Sequence, residues 1–403
     1  MHILLIHQAF AALDEPGGTR HHEFARLLAD RGHKVSIIAS PVSYLTGSKK
    51  TETKIRSEID GKITIYRAYT YPALHKSFFH RLVGFFSFMI SSFLTGIRVK
   101  NVDIVWGTSP PIFQSVTAWL LARLKGAKFL LEIRDLWPDF AVAVGVLKNK
   151  ILIRLSQWLE RFLYRHADHV VVNSPGYIDH VRARGAKTIS MIPNGADESY
   201  FNTGKKNKRE ELGWGQRFVA LYAGAHGMSN DLETVLYSAK LLRDDKNIQF
   251  VFLGDGKEKN NLIAKSHALE LNNILFLDPV PKSEIADYLH AADACLAILK
   301  PIEMYKTTYP NKVFDYMAAG KPVILAIDGV IRDVVKKAQC GIYCEPGNPQ
   351  TIAQAILTMF NTAEPQRKKM GESGKDYLKK NFDRKKVVKI FSDMIEKMVE
   401  SNV

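Results

Sequence analysis

Cysteine is scarce in this 403-residue sequence, which contains only Cys295, Cys340 and Cys344. Three cysteines are too few for a disulfide framework, and none of them has the paired spacing of a zinc site. The acidic and histidine residues show no metal-ligand spacing either, so we expect no metal cofactor. We interpret the three thiols as reduced, structural groups of a cytosolic protein.

A hydrophobic run long enough to span a membrane is also missing. The longest apolar stretch, LVGFFSFMISSFLTGI, lies between Arg81 and Arg98. It falls short of the about 20 residues that a spanning helix needs. The first residues show neither the basic lead nor the cleavage site of a signal peptide. We therefore expect neither a single-pass anchor nor a signal peptide.

The glycine pattern of dinucleotide-binding proteins, G-x-G-x-x-G after the first strand, is absent. The loop after the first apolar run reads HQAFAALDEPGGTR and contains a single glycine pair. A second short pattern, GDG at 254–256, lacks the third glycine. Both departures disfavour an NAD-dependent enzyme.

What the sequence does have is an excess of basic residues, with a formal net charge of +15 and a pI near 9.5. Such a surface favours phosphates, whether in nucleotides, lipid headgroups or nucleic acid. The hydrophobic fraction of 46% and the charged fraction of 24% are ordinary for a globular protein. Because a single core rarely covers more than about 300 residues, the length predicts two domains.

Apolar, strand-like runs alternate with helix-length segments, and they form two series. This alternation predicts an α/β protein with two doubly wound parallel sheets, each covered by helices on both faces. The first series is HILLI, KVSIIAS, ITIYRA, VDIVWG, AKFLLEI, HVVVNS and TISMIP, and the second is RFVALYAG, IQFVFLG, NILFLD, ACLAIL, PVILAI and GIYCE. We expect ligands at the carboxyl ends of the strands, in a cleft between the domains.

The joint between the domains is predicted where the sequence turns abruptly hydrophilic, at 194–197 and at GKKNKRE, residues 204–210. We divide the chain into an N-terminal domain, 1–195, and a C-terminal domain, 196–382. A final helix over 383–403 is expected to pack back on the first domain.

The segment TTYPNKVFDYMAAGKPVI, residues 307–324, is the most informative one. Pro310 suits the first position of a helix, and Gly320 suits the residue after its end. Lys312 then stands in the first turn, where the helix dipole disfavours a cation by about 0.3 to 1 kcal/mol. A bound phosphate would remove this conflict, because the lysine and the free N–H groups of the first turn would bind it together.

Asp315 is expected on the same helix face as Asn311 and Lys312. One turn below a phosphate site, its carboxylate could accept hydrogen bonds from two ribose hydroxyls. The alternative is a surface ion pair between Lys312 and Asp315, which would need no ligand. Both interpretations are open from the sequence.

Aromatic and basic residues come together in the segment 71–100. On a helical wheel, small residues form one stripe and bulky apolar residues form the remainder. The small residues are Gly84, Ser87, Ser91 and Thr95, the bulky ones include Phe85, Phe86, Met89 and Phe93, and His75, Lys76, His80 and Arg81 precede them. We expect this helix to contact an anionic membrane surface, the alternative being burial between the sheet and its neighbours.

Several motifs of the chain resemble one protein family. They are EPGGTR at 15–20, RDLWPD at 134–139, SPGYIDHVRARGAKTISMIPNGAD at 174–197 and YPNKVFDYMAAGKPVI at 309–324, with GKPVILA running on to 326. Together they are similar to motifs of the family 4 (GT4) glycosyltransferases, in particular the WbuB-type enzymes of bacterial surface polysaccharide synthesis (O-antigen and capsule). The resemblance implies the GT-B fold, with two Rossmann-like domains facing across a cleft, and sugar transfer with retention of anomeric configuration.

The resemblance also implies the partners. A nucleotide-diphosphate sugar, with UDP favoured, would be the donor and would be held mainly by the C-terminal domain without an obligatory metal. The acceptor would be a polyprenyl-diphosphate-linked sugar bound by the N-terminal domain. The enzyme would then be a cytoplasmic protein, peripheral on the inner face of the cell membrane.

By the same resemblance, Asp315 occupies the second acidic position of the family's E-x7-E motif, which binds ribose. The first acidic position falls on Thr307, which cannot supply the usual carboxylate contact to the donor sugar. Glu303 lies nearby in the preceding loop.

A second departure concerns the loop AGAHGMSND, residues 223–231. Many relatives place an Arg and a Lys of this loop on the donor diphosphate, but here Asn230 stands at the position of the lysine. His226 and the amides around Gly227 are the remaining donor contacts, although a loop histidine can equally be structural. We also expect Val280 to be a donor-binding residue.

Gly17, Gly18, Thr19 and Arg20 stand between a strand and a helix, so their amides can approach a phosphate closely, and Arg20 adds a charge. The family resemblance favours a contact to the donor or to the transition state. The alternative is a tight turn in which Thr19 caps the helix.

Asp135 follows the strand AKFLLEI and is therefore expected at the carboxyl end of the sheet. It could orient the acceptor hydroxyl or take its proton, or it could brace the loop through Arg134. We name Asp135, Arg20 and Lys312 as the catalytic candidates.

Two other functions stay open from the sequence. A GT-B nucleotide-sugar epimerase would need no lipid acceptor, so the Phe-rich segment argues against it. A basic nucleic-acid-binding protein should interleave aromatic and basic residues along a groove, a pattern that occurs only in 71–100. We expect no nucleic-acid partner.

Overall fold

The computed structural model describes residues 1–15, 17–43, 47, 55–72, 78–202 and 208–400. They form two compact units. The first comprises the described residues of Met1–Leu13, Gly17–Pro193 and Lys385–Val403, and the second those of Asp14–Pro16 and Asn194–Arg384. The described residues do not include His75, Lys76 or residues 204–207, which the predictions above named.

An eight-stranded sheet forms the centre of the first unit. Its strands are β1 (His2–Ile6), β2 (Lys34–Ala39), β3 (Ile55–Glu58), β4 (Ile63–Arg67), β5 (Ile104–Ser109), β6 (Lys128–Ile133), β7 (His169–Val172) and β8 (Ile189–Met191). Their order is β3-β4-β2-β1-β5-β6-β7-β8, and every neighbouring pair is parallel except β3 and β4. All seven strands of the predicted first series are present.

Strand β3 was not predicted. Its sequence, IRSE, is short and largely polar, and its side chains are exposed or half-buried. It pairs antiparallel with β4 at the edge of the sheet, where a strand needs no continuous apolar face. The first sheet is therefore parallel only from β4 onward.

A six-stranded, fully parallel sheet forms the centre of the second unit. Its strands are β9 (Phe218–Ala223), β10 (Ile248–Leu253), β11 (Ile274–Leu277), β12 (Ala294–Ile298), β13 (Val323–Ala326) and β14 (Gly341–Tyr343), in the order β11-β10-β9-β12-β13-β14. All six predicted strands are present. The predicted fold class, two doubly wound α/β sheets, is confirmed.

Helices cover the sheets. The first unit has α1 (Arg20–Asp30), α2 (Phe78–Ile97), α3 (Ile112–Lys125), α4 (Asp139–Ala143), α5 (Lys150–His166) and α6 (Ile178–Ala183). The second has α7 (Lys208–Glu211), α8 (Leu232–Leu241), α9 (Lys259–Ala268), α10 (Lys282–Ala291), α11 (Asn311–Ala318), α12 (Val330–Ala338), α13 (Pro349–Asn361) and α14 (Glu364–Asn381), and α15 (Arg384–Glu400) ends the described chain.

The last helix, α15, packs into the core of the first unit. The ring of Phe391 lies 4.8 Å from that of Trp106 and 5.4 Å from that of Phe24. Val388 and Ile395 belong to the same buried cluster as strands β1, β2 and β5. The core of the first unit is therefore built from both ends of the described chain.

Helix α2 connects β4 to β5, and its buried residues are Gly84, Phe88, Ser92 and Gly96. A side chain at Gly96 would lie 2.4 Å from Leu121 of α3, so the two helices meet closely there. The Ser87 hydroxyl accepts the N–H of Tyr71 at 2.8 Å. Among the described residues, Phe79–Ile97 is the one helical stretch long and apolar enough to cross a membrane. The expectation that the sequence lacks such a run is therefore not met by length and composition, although core helices of soluble proteins pass the same test.

Both sheets have a point at which the strand order reverses. In the first it lies between β1 and β5, and in the second between β9 and β12. The loops at the carboxyl ends of such strands diverge and leave a crevice where ligands of doubly wound sheets bind. These loops hold His7 and Pro110 in the first unit, and Gly224 and Lys300 in the second.

Candidate active site

The loop after β9 packs its backbone directly against the loop after β10. A Cβ atom at Gly254 would lie 2.0 Å from the Gly224 carbonyl oxygen, and one at Gly256 would lie 2.6 Å from the His226 carbonyl oxygen. Both glycines also have positive φ, 146° and 156°. Only glycine permits this contact, and it fixes the backbone of residues 224–227 at the crevice.

Lys312 extends from the first turn of α11 to this loop. Its ammonium donates to the Tyr222 hydroxyl at 2.6 Å and to the Asn230 side-chain carbonyl at 3.1 Å. A Cβ at Gly224 would lie 3.4 Å from Nζ, so the loop passes close to the charge. Among the described residues, no carboxylate is paired with this ammonium, and burial lowers the pKa of Lys312 to about 7.

Asp315 points to a different neighbour. Its carboxylate forms an ion pair with Lys282 of α10 at 2.6 Å. The structure therefore does not support the intrahelical pair between Lys312 and Asp315 that was the alternative to a ligand site. Lys312 is left as a cation without an anionic partner among the described side chains, which is an arrangement suited to binding an anion.

Thr307, at the family's first acidic position, and the nearby Glu303 both have contacts close to them in the chain. The Thr307 hydroxyl donates to the Met304 carbonyl at 2.6 Å. Glu303 is exposed and pairs with Lys306 at 2.7 Å. Neither side chain joins the group formed by Lys312, Tyr222 and Asn230.

His226 is completely buried between the rings of Tyr222, Phe252 and Phe276, with centroids 6.0 to 6.4 Å away. Neither ring nitrogen has a hydrogen-bond partner within the part of the chain that the structure describes. Burial, followed by repulsion from Lys259 and Lys312, lowers its pKa to about 3. The imidazole is therefore neutral, and its unsatisfied N–H and lone pair cost stability unless another molecule meets them.

The other predicted donor contacts of the second unit stand at loop or helix ends. Gly227 follows His226 in the loop after β9, and a Cβ there would meet only the Asn230 amide, at 3.5 Å. Asn311 is the exposed first residue of α11. Val280 is half-buried in the segment between β11 and α10.

In the first unit, Gly17 and Gly18 are exposed at the start of α1. Gly17 has φ 141°, and a side chain there would meet Ala11 at 3.0 Å. Thr19 stands at the N-cap position, but its hydroxyl donates to the Glu23 carboxylate at 2.6 Å and makes no bond to a backbone N–H. It therefore does not act as the helix cap expected in the alternative reading.

Arg20 is buried and its guanidinium is fully engaged. It pairs with Glu132 of β6 at 3.1 Å and donates to the carbonyl oxygens of Ile192 and Pro193 at 3.0 and 2.8 Å. These contacts tie α1 to β6 and to the chain after β8. The contact of Arg20 with donor or transition state stays a prediction, and the guanidinium would have to leave these partners to make it.

Sequence reasoning missed a buried polar cluster around Glu132. Its carboxylate also binds His21 at 2.6 Å. Burial opposes the charge on Glu132, but His21 and Arg20 outweigh it and hold the pKa of the carboxyl below its usual range. A glutamate inside the apolar strand AKFLLEI was the available signal, because a buried carboxylate needs a partner.

His7 was also missed, although it directly follows the buried strand β1. Its ring lies 4.3 Å from that of His21, and Arg134 donates to its Nε2 at 3.2 Å. Nδ1 lies 3.2 Å from the Thr108 hydroxyl. Burial, with His21 and Arg134, lowers the pKa of His7 well below 6.5, so a neutral imidazole stands where the strand order reverses.

Asp135 follows β6 at the same edge of the sheet. Burial raises the pKa of its carboxyl to about 6, although Arg134 and a hydrogen bond from Tyr177 favour the charged form. The adjacent Arg134 contacts His7 and the Pro110 carbonyl. Arg134 therefore contacts His7, and the neighbouring Asp135 has a carboxyl that can exchange a proton near neutral pH.

No group of three or more His, Cys, Asp or Glu side chains is placed to hold a metal ion within the described ranges. The three cysteines are free and buried.

Two family models match the chain without overlapping. Residues 17–195 match the glycosyl transferase 4-like domain, and residues 204–377 match the glycosyl transferases group 1. Together they cover most of both units.

Curated relatives agree with these models. The chain is 27% identical over 282 residues to glycosyltransferase WbjE of Pseudomonas aeruginosa, covering 68% of this chain and 69% of the relative. It is 25% identical over 321 residues to a colanic acid biosynthesis glycosyl transferase, WcaI, of Escherichia coli K12, covering 76% and 78%.

Solved structures with the same fold cover nearly the whole chain. Sucrose-phosphate synthase from Thermosynechococcus elongatus superposes with a TM-score of 0.79 at 16% identity, over 99% of both chains. HepE of Anabaena, solved with UDP-glucose, superposes with a TM-score of 0.72 at 15% identity, over 98% of this chain and 100% of the other. The family models, the relatives and the fold agree, and the chain therefore belongs to the group 1 glycosyltransferases of family 4, which use nucleotide sugars and have the GT-B fold.

Proposed function

We propose that this glycosyltransferase moves a sugar, with retention, from a UDP-sugar to a polyprenyl-diphosphate-linked sugar during surface polysaccharide synthesis. The observation that carries the donor assignment is the Lys312 ammonium beside the glycine loop after β9, held by Tyr222 and Asn230 and without a carboxylate partner in the part of the chain that the structure describes. The UDP-glucose bound by HepE and the colanic acid role in the name of WcaI support the donor class and the pathway class.

In this proposal, the second unit binds the donor. Lys312, the amides around Gly227 and the start of α11 at Asn311 meet the diphosphate, because a cation and free N–H groups suit its negative charge. Asp315 accepts hydrogen bonds from the ribose hydroxyls. Val280 contacts the nucleoside. His226 meets a donor oxygen only if its ring turns out of the aromatic pocket that now holds it.

Lys312 has a second role in the proposed reaction. When the bond between the anomeric carbon and the diphosphate oxygen breaks, negative charge grows on the leaving UDP. An ammonium fixed in advance by Tyr222 and Asn230 stabilises this charge without reorganising. A pKa near 7 means that the binding of the diphosphate also draws a proton onto the amine.

We assign the acceptor to the first unit, at the edge of the sheet that holds Asp135. The carboxylate orients the acceptor hydroxyl and takes its proton as the hydroxyl oxygen bonds to the anomeric carbon on the face from which the diphosphate leaves, so that the configuration is retained. Its pKa of about 6 keeps Asp135 mostly ionised at neutral pH and still basic enough for this role. Arg134 and Tyr177 hold the carboxylate in place.

We further propose that the enzyme works on the cytoplasmic face of the membrane, where such an acceptor would lie. Helix α2 supports this, because it buries Gly84, Phe88, Ser92 and Gly96 and leaves apolar side chains on its other side exposed. Phe86, Ile90 and Leu94 are 45%, 59% and 56% exposed, while Phe85 of the predicted apolar face stacks on Phe113 at 5.7 Å. In this proposal the membrane-facing row is Phe86, Ile90 and Leu94, whereas the bulky face expected from the sequence comprises Phe85, Phe86, Met89 and Phe93.

A panel of nucleotide sugars tests the donor assignment. The purified enzyme, without acceptor, should release UDP slowly from a UDP-sugar and should release no GDP from GDP-sugars. Lys312→Ala should reduce this release, whereas Lys336→Ala, an exposed lysine of α12, should not. Release of GDP alone, or equal release by the Lys312 variant, would contradict the proposal.

A further inference from the structure

Helix α5 exposes a row of large apolar side chains. Ile151, Leu155 and Trp158 are 69%, 56% and 61% exposed, and their spacing of four and three residues places them on one face. Phe162 continues the row, and its ring stacks on that of Trp158 at 5.7 Å. This helix was not singled out in the sequence, and the exposed row does not fill the core.

Cations border this row on the solvent side. Lys148, Lys150, Arg154, Arg161 and Arg165 are all exposed. Within the described part of the chain, none of the five pairs with an acidic side chain. An apolar row flanked by unpaired cations is typical of a helix that lies in a membrane interface.

The acidic residues of this face are few and are turned away. Among the residues of α2, α3 and α5, Glu160 is the only acid. It is completely buried and binds His180 at 2.8 Å and Arg184 at 2.5 Å. Within the described residues of the three helices, the exposed charges are therefore all positive.

Helix α3 packs against both α5 and α2. The rings of Trp119 on α3 and Phe162 on α5 meet at 4.9 Å, and the Thr117 hydroxyl donates to the Met89 carbonyl of α2 at 3.1 Å. The exposed apolar side chains of the three helices, here named the three-helix surface, are Phe79, Phe86, Ile90, Leu94 and Ile97 on α2, Leu120 and Leu124 on α3, and Ile151, Leu155 and Trp158 on α5.

We propose that the three-helix surface binds an anionic phospholipid bilayer, and that α5 supplies the main contact. Its apolar row enters the interface, and the five cations beside the row, four on α5 and Lys148 just before it, lie among the headgroups. The proposal rests on the lipid-linked acceptor of the proposed function and adds the element that docks the enzyme. The area is much larger than the row of α2 alone.

The positive charge of the three-helix surface favours binding to an anionic bilayer over binding to a second copy of the chain. A two-fold contact through this face would bring the cations of one α5 against those of the other, with no carboxylates between them. An anionic lipid surface supplies the missing negative charge and attracts each nearby Lys or Arg.

Two variants separate the apolar and the charged parts of the contact. Binding of the full chain is measured by flotation with phosphatidylcholine vesicles, with or without about one third phosphatidylglycerol. Ile151→Ser/Leu155→Ser/Trp158→Ser should lower partition into the anionic vesicles by at least about tenfold. Arg154→Glu/Arg161→Glu should lower it by at least about tenfold as well, and wild-type binding should weaken with added salt.

Matched controls lie on other exposed helices. Tyr237→Ser/Leu241→Ser on α8 and Lys336→Glu/Lys337→Glu on α12 change similar chemistry elsewhere and should leave partition unchanged. Melting curves check that the variants fold. Since all three apolar side chains of α5 are exposed, we expect little loss of stability.

Three outcomes would overturn the proposal: unchanged vesicle binding in both α5 variants, equal binding to neutral and anionic vesicles, or a dimer in solution that the α5 variants dissociate. The release of UDP from a water-soluble donor tests the proposed function separately, because it needs no membrane. Normal UDP release with no vesicle binding would refute the docking proposal alone, and vesicle binding without UDP release would refute the donor assignment alone.

Discussion

The ammonium of Lys312 lies 3.1 Å from the side-chain carbonyl of Asn230, the residue that the family resemblance places at the position of a donor-binding lysine. A charge at this place in the loop can therefore come from helix α11 instead of from the loop itself. This relation explains how a chain with an asparagine at that position can still present a cation to a donor diphosphate.

Moving the charge back to the loop tests this relation. Lys312→Ala should lower kcat/KM by about a hundredfold, because the interaction grows with the charge on the leaving diphosphate. The double variant Lys312→Ala/Asn230→Lys should regain part of the loss, since the new ammonium would start from the same loop. If the double variant is no more active than Lys312→Ala, a charge in the loop cannot replace Lys312, and the position of this lysine on α11 has a further role.

Asp315 should contribute to donor binding more than to the chemical step. Asp315→Asn removes a charged acceptor of ribose hydrogen bonds, which are worth about 1.5 to 3 kcal/mol. Steady-state kinetics should show donor KM raised about tenfold or more with little change in kcat.

Lys282→Met is the control for Asp315, because it breaks the ion pair and keeps the carboxylate. Its donor KM should change by less than about threefold. If Asp315→Asn and Lys282→Met behave alike, with normal kinetics and equal losses of melting temperature, Asp315 serves only to hold α10 to α11.

Two shifted pKa values predict a narrow pH optimum for kcat/KM. The mechanism needs Asp135 as a carboxylate, with a pKa of about 6, and Lys312 as an ammonium, with a pKa of about 7. Activity should fall below about pH 6 as Asp135 gains a proton, and above about pH 7 as Lys312 loses one. A pH profile of initial rates measures both limbs.

Tyr177→Phe separates the two limbs. Its hydroxyl stabilises the ionised form of Asp135, so its loss should move the acid limb upward by about one pH unit and leave the alkaline limb in place. If the acid limb is unchanged in Asp135→Asn as well, a group other than Asp135 causes it.

Arg20→Ala should act mainly on stability. It leaves the buried Glu132 with one cationic partner fewer, and the breaking of a buried ion pair costs about 3 to 5 kcal/mol. Arg31→Ala, which breaks a half-exposed pair with Asp393, should cost no more than about 1 kcal/mol. A normal melting temperature with raised donor KM in Arg20→Ala would instead favour the predicted donor contact.

Chelation should leave the activity intact. In the proposed mechanism Lys312 and backbone N–H groups meet the diphosphate, so the reaction does not depend on a divalent cation. Initial rates with and without EDTA measure this. Complete loss of activity that added Mg²⁺ or Mn²⁺ restores would contradict the proposed donor site.

The strands were predictable because buried parallel strands are continuous apolar runs, as in HILLI and RFVALYAG. Strand β3 was not predictable in this way, since an antiparallel edge strand needs no continuous apolar run. Helix α11 was predicted with an error of one residue, because Pro310 stands at the N-cap position rather than inside the helix.

The site was predictable only in part. The place of Lys312 in the first turn is a local property and can be derived from the sequence. Its partner Tyr222 lies 90 residues away, and no local pattern shows which way the side chain turns. The same holds for α5, whose inward face is fixed by the contacts of Glu160 with His180 and Arg184 rather than by its own sequence.

The return of α15 to the first unit has a consequence for synthesis of the protein. Val388, Phe391 and Ile395 fill the core between α1 and the first sheet, yet the ribosome makes them after the whole second unit. Domains usually fold in the order of their synthesis. Here the core of the first unit can close only after the final helix has been made. We therefore expect the first unit to fold more slowly than the second and to be the one that chaperones bind.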